Sequence, residues 1–134
     1  MPKLYRSREG EATAVDTKSQ LTTLGSESAP GPMLVPSGVT KIIAMIVAAM
    51  ENFAAAASFS ALVRLEGPGL PGGPEVIAVQ AGGAATTTGG NSAKEAKVIP
   101  LDIPVTPANE ILIFGEMCGT DVGQVSLGVT LIFG

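Results

Sequence analysis

Residues 125–133 alternate without a break. Val125, Leu127, Val129, Leu131 and Phe133 occupy one parity, and Ser126, Gly128, Thr130 and Ile132 the other. Successive side chains of an extended strand point to opposite faces, so this stretch has one apolar and one mixed face. It predicts a half-buried antiparallel strand, which needs neighbouring strands and a second layer to cover it. The same period of two recurs in residues 59–65, where Phe59, Ala61, Val63 and Leu65 alternate with Ser60, Leu62 and Arg64. In residues 110–117, Ile111 and Ile113 fall on one face and Leu112 and Phe114 on the other. Residues 75–81 read as a short strand. Residues 98–105 alternate but contain Pro100 and Pro104, which lack the N–H that an interior strand donates, so they belong at an edge or a bend. The run Gly67-Pro-Gly-Leu-Pro-Gly-Gly-Pro is turn chemistry, and residues 82–92, made of Gly, Ala, Thr, Asn and Ser, read as a flexible surface loop. The expected fold is all-β, an antiparallel β-sandwich.

One stretch competes with this scheme. Residues 48–57 are rich in Ala, the best helix former. The β-branched pairs Ile42-Ile43 and Ile46-Val47 before them, and the alternation of 59–65 after them, favour two strands joined near Glu51-Asn52.

The core must be aliphatic, because aromatics are 4% of the 134 residues and Trp is absent. Seventeen Gly and ten Pro supply turns for many short strands. The chain has no His. That removes Ser-His-Asp and Cys-His nucleophiles, His-containing zinc sites and the one side chain that ordinarily titrates near neutral pH. The chain reads as a non-enzyme that holds no cofactor or metal. The single Cys118 cannot form an intramolecular disulfide, and Glu116 and Asp121 nearby oppose thiolate formation. It reads as a small buried hydrophobe.

Composition shifts near residue 33. Residues 1–32 are polar, rich in Ser, Thr and Gly, and end in Ala-Pro-Gly-Pro. They lack strand or helix periodicity and read as an extended N-terminal arm, with residues 33–134 as the sandwich domain. Such an arm is ordered only when something holds it down. The expectation is that it lies across neighbouring subunits, anchored by Leu4, Tyr5, Leu21 and Leu24; packing back onto its own domain is the alternative. Four basic residues (Lys3, Arg6, Arg8, Lys18) balance four acids (Glu9, Glu11, Asp16, Glu27), so the arm is neutral and the net charge of −4 resides in the rest. A neutral arm lacks the cationic excess that binds phosphate backbones, so nucleic acid is not an expected partner. The start is charged, without the apolar core of a signal peptide, and the longest apolar run, residues 42–50, is too short to span a bilayer as a helix. A soluble protein made in a cytoplasm is expected.

Candidate sites are few. Gly67-Pro-Gly-Leu-Pro-Gly fits G-x-G-x-x-G formally, but Pro68 and Pro71 remove amide donors and no helix pattern follows, so a turn is expected. Asp102, Glu110, Glu116 and Asp121 would have to converge to bind Ca²⁺ or to form a hydrolytic pair, and no compact Ca²⁺-loop spacing brings them together.

Taken whole, the polar arm through Pro36, the alternating segments 59–65 and 110–117 and the terminal 125–133 resemble viral jelly-roll capsid proteins and capsid cement (decoration) proteins. The resemblance is one of architecture and rests on no diagnostic motif. It implies a structural virion protein that assembles as a homo-oligomer, with a trimer as one form, alongside other capsid subunits. The arm would tie neighbours together. Outward-facing apolar residues Leu62, Leu112 and Ile132 are then candidates for an intersubunit surface. Two other readings stand beside it: a β-sandwich module binding a carbohydrate or receptor, and a small carboxylate-dependent hydrolase.

Overall fold

The structure, a computed structural model, describes residues 3–12, 17–22, 31–53, 60–80, 92–118 and 123–134. Every regular element among them is a strand: β1 (Leu4–Ala12), β2 (Lys18–Gln20), β3 (Met33–Leu34), β4 (Lys41–Phe53), β5 (Ser60–Glu66), β6 (Glu75–Gln80), β7 (Ser92–Pro104), β8 (Glu110–Cys118) and β9 (Gly123–Phe133). Two antiparallel sheets form, a first of order β1-β9-β4-β7 and a second of order β2-β8-β5-β6, with β3 also paired to β8.

The order has a simple origin. Antiparallel pairs β5·β6, β4·β7, β2·β8 and β1·β9 nest inside one another, as in a long hairpin whose arms run out from β1 to β5 and return from β6 to β9. Rolling that hairpin adds the pairs β4·β9 and β5·β8 and divides the strands between two layers. The two antiparallel layers are the β-sandwich expected from the alternation, and the nested pairing is the jelly-roll arrangement that the resemblance implied.

The core lies between the layers. The first sheet contributes Met45, Val47, Leu127, Val129, Leu131 and Phe133, and the second Val63, Leu65, Ile111 and Ile113, all buried. Connecting residues Val35, Val39, Leu70 and Val105 close one end. In β4, Ile42 and Met45 are both buried although three residues apart. Against β9 the register shifts between Ile42 and Ala44 so that β4 holds one extra residue, which returns both side chains to the core; against β7 the shift at the same place puts the extra residue on β7. Gly115 of β8 faces Leu127 so closely that a Cβ there would strike the Leu127 side chain. The missing side chain lets the two layers approach at that point.

Strand expectations for 59–65, 75–81, 110–117 and 125–133 correspond to β5, β6, β8 and β9, and β7, with Pro100 and Pro104, is an edge strand. The competing helix is absent from residues 48–53, where β4 continues through Phe53. The turn expected at Glu51-Asn52 is corrected: Glu51 pairs with Ala93 and Val125, and Asn52 with Ser92 and Gln124. Hydrogen-bonded neighbours on both sides outweigh the alanine propensity here. Residues 54–59 and 81–91 lie outside the described residues, so the expected strand 75–81 is described only to Gln80; Ser92, expected in the loop, opens β7.

The largest correction concerns residues 1–32. Within the described part they are not an arm set apart from the sandwich. Leu4 to Ala12 pair residue for residue with Phe133 to Val125, and Lys18 to Gln20 pair with Glu116 to Phe114. The Leu21 amide donates to the Ile113 carbonyl at 2.8 Å, and the Leu21 side chain sits in the core. The alternative of packing on its own domain therefore holds for these strands. β1 borders the sheet, so only one of its sides is paired and polar residues are tolerated along it.

Two stability outcomes follow. Deleting residues 1–12 removes an edge strand and uncovers β9, so thermal unfolding should show a drop in Tm of many degrees or loss of soluble protein. An unchanged Tm would mean that β1 does not belong to the folded core unit. Gly115→Val should cost roughly 1–3 kcal/mol in a urea unfolding series through overpacking.

Candidate interaction surface

The outer faces of the two sheets differ in chemistry. On the second sheet the register brings Lys18, Glu116 and Leu62 into one row and Gln20, Phe114 and Arg64 into the next. Arg64 donates from Nε and Nη2 to the two carboxylate oxygens of Glu116 at 3.0 and 3.4 Å, and Glu116 is only 9% exposed. A fork of two charge-assisted bonds satisfies a carboxylate that is largely removed from water. Lys18 bonds Glu66 at 2.8 Å, and its Nζ stands 4.4 Å from the centroid of the Phe114 ring. Ion pairs and cation–π contact thus cross this face from strand to strand.

The first sheet is different. One outward row runs Tyr5, Ile132, Ala44, Pro100 across four strands, and the next runs Ser7, Thr130, Ile46, Val98. Only Ser7 and Thr130 are polar here, and their hydroxyls bond each other at 2.7 Å. Tyr5 is 52% and Val98 67% exposed, and Ile46 is also exposed. From strand and pleat spacings these eight positions cover about 260 Å². That is about a third of what one partner contributes to a standard protein–protein interface. The face is suited to be the apolar centre of a larger contact.

The residues singled out from sequence separate clearly. Of the expected arm anchors, Tyr5 lies on this open face. Leu4 is half-buried against the core and Leu21 is fully buried, so neither is available to a neighbour. Leu24 lies outside the described residues. Of the expected surface residues, Leu62 and Leu112 are half-buried on the second sheet. Ile132 is corrected from open surface to buried, at 8% exposure, because β9 is a central strand and Tyr5 and Ala44 flank it on both sides. Ile46 and Val98, register partners on β4 and β7, were not singled out. Their signal is present in the outward parity of the 42–50 run and in the residue two before Pro100.

The described carboxylates do not converge on a common site. Asp102 pairs with Lys41 at 3.3 Å, Glu116 with Arg64, and Asp121 lies outside the described residues. Among the described residues no three potential ligands group around a metal position. The Gly67–Gly73 region is a turn, with Gly67 and Gly73 at φ 115° and 90°. Three of its amides are already used: Gly69 donates to Glu110, Leu70 to Gly67 and Gly73 to Leu70. It offers no such amide to a phosphate. The Cys118 backbone ends β8. Among the described residues no helix is long and apolar enough to cross a membrane.

No protein-family model and no curated protein matches the chain. Among solved structures it is similar to FlhE, with a TM-score of 0.43 and 14% identity over 99% of this chain and 98% of that one. It is also similar to a chain of the infectious bursal disease virus T13 particle, with a TM-score of 0.39 and 16% identity over 98% of this chain. A structure of the Gt strain of that virus gives a TM-score of 0.36 and 16% identity over 98% of this chain. The match spans about a third of each viral chain, 31% and 32%.

Removing the buried carboxylate tests the ionic face. Glu116→Ala should cost about 1–2 kcal/mol in chemical denaturation, since Arg64 loses two charge-assisted bonds while keeping partial access to water. A double-mutant cycle with Arg64→Ala should return a coupling near 1 kcal/mol; zero coupling would reduce the pair to a surface contact.

Proposed function

We propose that this chain is a structural protein of a virion, a small jelly-roll shell or cement (decoration) subunit that associates with copies of itself and with other capsid subunits. The observation that carries the reading is the open apolar patch on the outer face of the first sheet, where Tyr5 of one row stands beside Ile46 and Val98 of the next. A sandwich of this size has a limited core, and covering further apolar surface between subunits adds stability by mass action. The described strands of residues 1–32 belong to the sandwich, so association is assigned to the sheet face in place of an arm. A homo-oligomer, such as a trimer, located in the virion after synthesis in a host cytoplasm fits this role.

Light scattering on a sizing column, with negative-stain imaging, tests it on the full chain. Discrete oligomers or particles are expected. Val98→Asp and Ile46→Asp should each weaken association at least tenfold with Tm held within a few degrees. A wild-type chain that stays monomeric at every concentration and binds an isolated glycan overturns the reading in favour of a ligand-binding module.

A further inference from the structure

Each sheet has two borders, and three of the four carry features that discourage another strand from adding. β1 turns Arg6 and Arg8 to its inner side, the side of Leu4, and Arg8 Nε donates to the Gly31 carbonyl at 3.0 Å. β7 carries Pro100 and Pro104, and its Lys97 shares the inward parity of Ile99. The border at β2 and β3 is made of pieces three and two residues long. Inward charges, prolines and very short strands are the usual guards of a sheet edge.

β6 has the fewest of these: it is six residues long, and its one charge on the inward parity, Glu75, stands at its first position. Its sequence is Glu-Val-Ile-Ala-Val-Gln, with no Pro and one charge, at the first residue. Among the described residues it pairs with β5 alone, and Val76 and Ala78 are exposed on its outer side, Val76 at 53%. An antiparallel edge leaves alternate N–H and C=O groups pointing away from the sheet, and only another extended backbone satisfies them as a row.

We infer that β6 is a self-association edge, at which β6 of a second copy adds antiparallel about a two-fold axis at Ile77. A two-fold axis perpendicular to the sheet keeps inner and outer faces in register, which requires paired residue numbers of like parity. Centred on Ile77, that rule sets Val76 opposite Ala78 of the partner subunit and Glu75 opposite Val79 of the partner subunit. No like charges face each other, and the exposed apolar pair on each chain is covered by its counterpart. Centred one residue later, Val76 would face an amide side chain, Gln80 of the partner subunit. The product is one continuous eight-stranded sheet, β2-β8-β5-β6 followed by its two-fold copy. This inference goes beyond the shell reading and does not depend on it.

Charge pairs placed on the full-length chain test both the edge and its register. Val76→Glu with Ala78→Glu sets acid against acid across the axis, while Val76→Glu with Ala78→Lys sets acid against base at both sites. Light scattering should show a wild-type two-fold pair, or assemblies built from it. Association should fall at least tenfold in the Glu/Glu protein and return towards wild type in the Glu/Lys protein. Should Glu/Glu fail to fold by circular dichroism, hydrogen exchange on wild type gives the same answer, as protection of β6 amides rising with protein concentration. A monomeric wild type, association unchanged in Glu/Glu, loss in both variants with folding intact, or β6 protection independent of concentration each overturn the inference. Particles that form with β6 exchange independent of concentration would overturn it while leaving the shell reading in place.

Discussion

Burial of one side of each sheet against the other is the interaction on which this structure depends, and the side chains available for it are almost all aliphatic. Among the described residues, Phe133 is the one aromatic of the fully buried side chains. Val, Leu, Ile and Met fill the interlayer space in rows that register across β4, β9, β5 and β8. Interiors are packed as densely as organic crystals, so a core of small branched groups demands close layers. Two local features answer that demand. The β4 bulge keeps Ile42 and Met45 on the same side, and Gly115 leaves room for Leu127.

The nested pairing then distributes chemistry over the surface. β4, β9, β5 and β8 are central and paired on both sides, so they carry the most apolar inner faces. Outside, the second sheet spends its polar residues on cross-strand ion pairs. Arg64 and Glu116 illustrate how a carboxylate at low exposure is retained by a bidentate partner. The first sheet carries the Ser7–Thr130 and Lys41–Asp102 pairs, and beside them leaves Tyr5, Ile46 and Val98 exposed. That contrast makes one layer self-sufficient against water and leaves the other with apolar area that a neighbouring molecule can cover.

Much of this was legible in the chain. Alternation in 59–65, 110–117 and 125–133 identified strands and their inner faces, and the prolines at 100 and 104 identified an edge. The absence of His narrowed the chemistry before any geometry was known. The surface was less legible. Ile46 and Val98 sit 52 positions apart in sequence and become neighbours only through the β4·β7 register. Ile132 has the parity of an outward residue, yet its cross-strand neighbours bury it.

The sequence by itself determined the strand class, the aliphatic nature of the core and which parity of each clear strand faces it. These follow from backbone geometry, which imposes a period of two on any strand with one buried side. Partnership was decided only by the tertiary structure. Residues 1–32 look like a free arm because an edge strand is paired on one side and tolerates polar and charged residues, so its composition resembles that of unstructured chain. Once β9 is in place, its open backbone groups position β1, and the core site for Leu21 positions the end of β2. The alanine-rich end of β4 follows the same logic, since a weak local preference for helix is overridden by strands on both sides.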